Sequence, residues 1–67
     1  MNDKIQLPSP SELLLYHAWC GTPAPEAAEL AWPDLIRRGL ALKTDSGYSL
    51  TKEGRYQALL RWPGAGR

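Results

Sequence analysis

The sequence predicts a small α+β domain, mainly helical, in which short helices surround one two-stranded hairpin. Three observations predict it. Residues 9–20 and 51–60 place apolar residues at helical spacing behind residues suited to helix starts. Two short stretches, Leu40-Ala41-Leu42-Lys43-Thr44, which alternates like a half-buried strand, and Tyr48-Ser49-Leu50, flank the turn-forming Asp45-Ser46-Gly47. The whole chain has 67 residues, enough for one domain with a modest core.

The elements follow in order. Residues 1–8 read as a flexible arm, with Ile5 and Leu7 able to dock on the core. Residues 9–63 form the domain and residues 64–67 a disordered tail. Ser9 suits an N-cap, Pro10 the first helical position, and Glu12 completes a capping box. The first helix then runs to Cys20, with Leu13, Tyr16 and Cys20 on one face, Leu14, His17 and Ala18 widening that apolar surface, and Gly21 as its stop. Thr22 is a second candidate cap, ahead of a helix over Glu26–Ala31. Trp32-Pro33 interrupts that helix, because a residue before proline avoids helical angles. Residues 33–38 make a short further helix that Gly39 ends. Leu40 and Leu42 are expected to face inward from the first strand. Thr51 caps the last helix, whose apolar face is expected to be Tyr56, Leu59 and Leu60. Trp62-Pro63-Gly64 ends it.

Composition narrows the function. No apolar run approaches the roughly 20 residues of a membrane span. The N-terminal Met1–Leu7 has no basic-then-apolar signal pattern, and the lone Cys20 has no partner for an intrachain disulfide. A cytoplasmic protein is the expectation. Net charge is +1, but it is polarised. Residues 1–36 carry one base, Lys4, against five acids, a net −4; residues 37–67 carry seven bases against two acids, a net +5. The basic half suits an anionic partner.

Catalysis and metal chemistry find little support. His17 and Cys20 stand at i, i+3, but a zinc site takes three or four protein ligands and the chain has no further His or Cys. His17 with Ser9 or Ser11 lacks an acid placed to orient the ring. No phosphate-cradling glycine loop is present. The expectation is a binding module that is not an enzyme and uses no cofactor or metal.

The string Leu35-x-x-x-Gly39-Leu40, a short hairpin, then Tyr48-x-Leu50-Thr51-x-x-Gly54-Arg55-x-x-x-Leu59 resembles the C-terminal half of winged helix-turn-helix regulators of the MarR and PadR types. The resemblance covers residues 34–60. It implies a compact winged-helix-like domain with a two-stranded β-hairpin wing. It also implies a transcription regulator that binds double-stranded DNA through the helix before Gly39 and through the wing tip. Carried onto this chain, the contacts would be Arg37, Arg38, Lys43, Thr44 and Ser46. The adjoining basic residues Lys52, Arg55 and Arg61 would assist.

A second expectation comes from the segment that should approach DNA. Residues 25–34 hold Glu26, Glu29 and Asp34 and no base, and carboxylates are repelled by phosphate. Such a degenerate winged helix would serve as a protein-binding adaptor or inhibitor of the phage or mobile-element type. Glu26, Glu29, Trp32 and Asp34 would then form the interface, with Trp32 as its anchor. Either reading admits a homodimer through the oppositely charged halves.

Overall fold

The computed structural model describes residues 6–65. Six elements follow in order: α1 (Ser9–Cys20), α2 (Glu26–Glu29), α3 (Trp32–Arg37), β1 (Ala41–Thr44), β2 (Gly47–Leu50) and α4 (Lys52–Arg61). The expected class holds: α+β, mainly helical, with one antiparallel hairpin.

Helix α1 begins one residue earlier than its caps suggested. Ser9 is already helical, and Pro8 is the N-cap, at φ −58° and ψ 155° with no side-chain cap bond. Proline reaches this extended conformation without cost, and its carbonyl accepts the Glu12 N–H at 2.9 Å. The buried face of α1 keeps Leu14 and Ala18 of the expected apolar surface but is centred away from Leu13, Tyr16 and Cys20. Ser11, Leu14 and Leu15 are buried, with Ala18 packed beside them, whereas Leu13 is exposed and Tyr16 and Cys20 are half-buried. The i, i+3, i+4, i+7 stripe that meets the core thus starts at Ser11.

Gly21 closes α1 in the left-handed region at φ 77°. Thr22 does not cap α2. Its hydroxyl lies 2.8 Å from His17 Nδ1, and Pro25 precedes α2 instead. Helix α2 is a single turn, shorter than expected. Leu30 and Ala31 form a turn, and α3 starts at Trp32 with Pro33 in its first turn, where a missing N–H breaks no helical bond. Trp32-Pro33 therefore opens a separate helix. Gly39, at φ 80°, turns the chain into the hairpin as expected.

The inward face of β1 is shifted by one residue. Leu40 is buried before the strand begins, and Ala41 is the inward strand residue, opposite Leu50. Leu42 is 44% exposed, on the outer face with Ser49. A one-residue offset exchanges the two faces of a strand. Asp45 and Ser46 form the two-residue turn.

Helix α4 shows the largest departure. Gly54, Gln57 and Ala58 face the core, and Tyr56, Leu59 and Leu60 are exposed. The cause is the helix start. Thr51 accepts the Gly54 N–H at 3.0 Å and donates its hydroxyl to the Gly39 carbonyl at 2.6 Å, which holds Gly54 against Leu40. Positions 57, 58 and 61 then turn inward with it. Gln57 is only 1% exposed, and its side-chain and backbone oxygens accept from Arg61 at 2.9 and 3.1 Å. The Arg61 side chain is 4% exposed and lies 3.6 Å from Glu12 of α1.

The core is small and rich in alanine: Leu14, Leu15, Ala28, Ala31, Leu35, Leu40, Ala41, Leu50 and Ala58. Leu7 packs against it as expected; Ile5 lies outside the described residues, as do Gly66 and Arg67 of the tail. Ala65 donates its N–H to the Trp62 carbonyl at 3.1 Å.

Candidate functional site

Three groups of side chains carry the chemistry. The first is centred on Asp34 in α3. Arg38 Nε donates to its carboxylate at 2.8 Å, the buried Ser11 hydroxyl donates at 2.7 Å, and Arg37 completes the set. Hydrogen bonds from Arg38 and Ser11, with Arg37 adding, hold the Asp34 carboxyl down at about 2. This cluster joins two residues expected on DNA to one expected at a protein interface. Asp34 is tied to its own helix and to α1, so it is poorly placed to recruit a partner. Arg37 and Arg38 have half of their charge offset locally, though Arg37 remains 76% exposed.

The second group is on the hairpin. Lys43 and Tyr48 are cross-strand neighbours, and the Lys43 ammonium lies 5.9 Å from the centre of the Tyr48 ring. Tyr48 in turn stacks on Trp32, with centroids 4.7 Å apart and planes 9° from parallel. The stack ties the hairpin to the start of α3. Thr44 and Ser46 sit across the turn, with hydroxyls 3.5 Å apart. Lys52 and Arg55 are exposed one turn apart at the start of α4, and neither has an ion pair among the described residues.

A groove of about 430 Å³ opens beside β2, bordered by Trp19, Trp32, Tyr48, Ser49, Leu50 and Arg55. The buried indole N–H of Trp19 has no acceptor among the described residues. This groove was not legible in the sequence, because it is assembled from four separate elements. Cross-strand register is the one signal that pairs Lys43 with Tyr48.

The third group is acidic. Glu26 and Glu29 of α2 are exposed, followed by Leu30 at 81% exposure. Trp32, expected beside them as an anchor, is half-buried and faces Tyr48 instead. The expected interface set is therefore divided: Glu26 and Glu29 have no ion pair among the described residues, while Trp32 and Asp34 are engaged within the fold.

His17 contacts Thr22, and Cys20 raises the Tyr16 phenol through a hydrogen bond and its charge. Among the described residues no three His, Cys, Asp or Glu side chains converge as metal ligands, and no helix is long and apolar enough to cross a membrane. No family model, curated protein or solved structure matches the chain.

Proposed function

We propose that this chain is a small winged-helix-type DNA-binding protein that regulates transcription. It holds the duplex mainly with its hairpin and the start of α4. The observation that carries the reading is the set Lys43, Lys52 and Arg55: three exposed cations without ion pairs among the described residues, two of them beside the Trp32–Tyr48 stack. Uncompensated cations supply most sequence-independent affinity for phosphate. Arg37 adds charge from α3, and the Thr44 and Ser46 hydroxyls at the turn suit phosphate oxygens. The acidic α2 weakens any deep approach of the helices, so the contact is shallow and dominated by backbone. The experiment is fluorescence anisotropy with a labelled mixed-sequence duplex. Each of Lys43→Ala and Lys52→Ala should lower the slope of log affinity against log salt by about 0.9. The combined Lys43, Lys52 and Arg55 alanine variant should abolish binding, and unchanged affinity in that variant rejects the reading.

A second reading has its own observation. Leu30, exposed beside Glu26 and Glu29, is a protruding apolar side chain in an acidic setting. It suits an adaptor or inhibitor that docks on a basic protein. A Leu30→Asp variant that loses a partner while keeping DNA affinity would favour it.

A further inference from the structure

Both outer edges of the hairpin lack a backbone partner among the described residues, and the β2 edge is the one that borders the groove. Thr51 donates its N–H to the Leu40 carbonyl at 3.0 Å, and the register pairs Leu42 with Ser49 and Thr44 with Gly47. In an antiparallel ladder the exchanged bonds fall on alternate pairs. They therefore fall at Leu42–Ser49 and Thr44–Gly47. Tyr48 and Leu50 occupy the intervening positions, so their N–H and C=O groups point away from β1. Neither backbone is hydrogen-bonded to another segment among the described residues.

This edge borders the groove that holds Trp19, Trp32 and Arg55. Such an edge is a template for one more strand, and a sheet of two strands is marginal without support. The spacing of its free groups, two residues or roughly 6.7 Å apart, is that of another extended backbone. Alternate side chains of an added strand would enter the groove against the aromatic rings. Arg55 would meet a carboxylate there, because it is the charged residue of the groove and has no ion pair among the described residues. A stacked nucleobase would use the rings but leave the backbone edge unmet.

We propose that β2 is a docking edge for an extended peptide of a partner protein. The peptide adds as a third strand, places apolar side chains at alternate positions in the groove, and presents an acidic side chain to Arg55. The proposal rests on the backbone edge; it shares Arg55 with the proposed DNA contact but uses neither Lys43 nor Lys52, so a failed salt test of those two lysines leaves it standing.

The test pans the full chain against a displayed library of random decapeptides, then titrates the enriched peptides into isotope-labelled protein. The expected sequences alternate apolar residues and contain Asp or Glu. Binding should slow amide exchange at Tyr48 and Leu50. Arg55→Glu should weaken it at least tenfold. Tyr48→Pro, which removes an outward N–H, should abolish binding, and Tyr48→Ala should reduce it less. Should Tyr48→Pro fail to fold, peptides N-methylated at alternate positions replace it: one register should lose binding and the other keep it. The proposal is overturned by a library with no enriched peptide, by peptides that perturb Leu30 rather than β2, or by N-methylation that has no effect. It is also overturned if the enriched peptides bind but leave amide exchange at Tyr48 and Leu50 unchanged.

Discussion

Gly54 lies so close to Leu40 that a Cβ built on it would stand 2.0 Å from the Leu40 carbonyl oxygen and 2.9 Å from the carbonyl carbon. Both obstacles are backbone, so no rotamer change relieves them. The contact docks α4 on the entry to the hairpin and decides which side of α4 meets the core. Gly54→Ala should therefore destabilise the fold by about 3 kcal/mol, at the upper end of overpacking costs. Gly64, with open space around its position, is the control, and Gly64→Ala should stay within about 0.5 kcal/mol. Urea unfolding of the two variants compares them directly.

Thr51 supports the same corner from two sides. Its oxygen accepts from Gly54 and its hydroxyl proton goes to the Gly39 carbonyl. Thr51→Val keeps the shape and loses both bonds, and should cost about 1–2 kcal/mol. Thr51→Ser should retain most of the stability. Equal thermal midpoints for Val and Ser would remove the capping account.

Asp34 makes stability depend on acid. Its folded value of about 2 lies below the unfolded value of about 3.9. The unfolded chain thus binds more protons between those values, and stability rises with pH across that interval. The contribution of Asp34 is fully present above about pH 4 and is lost as pH falls toward 2. In Asp34→Asn this part of the acid dependence should vanish, while Ser11→Ala should narrow it. Urea midpoints measured between pH 2 and 5 give the comparison, and an unchanged Asn profile contradicts the assignment.

Much of the chain's path was legible before its packing was. Gly21 and Gly39 as stops, the hairpin and the Thr51 cap were readable because each is decided by local backbone geometry. The orientation of α4 was not. Tyr56, Leu59 and Leu60 make a convincing apolar stripe, but Gly54 must approach Leu40, and this long-range constraint turns Gln57 and Ala58 inward instead. The same limit applies to β1, where the buried Leu40 precedes the strand and shifts its alternation. Of the candidate site, the exposed cations could be named from the sequence, but the side chains they and the aromatic residues meet could not. Asp34 binds Ser11 across 23 positions, and Trp32 meets Tyr48 from a different element.

The Trp32–Tyr48 stack should be energetically coupled. A double-mutant cycle through Trp32→Ala and Tyr48→Ala should return about 0.5–1.5 kcal/mol, the range of aromatic pairs. A coupling of zero would mean that the hairpin is anchored to α3 by other contacts.

In the proposed function the hairpin and the start of α4 contact DNA. Amide-resolved NMR titration with a mixed-sequence duplex, at low and then moderate salt, tests it most directly. Contact there should shift Lys43–Tyr48 and Lys52–Arg55, with shifts that weaken steeply with salt, and leave Glu26–Leu30 silent. No shift at low salt, or shifts confined to Glu26–Leu30, would contradict it.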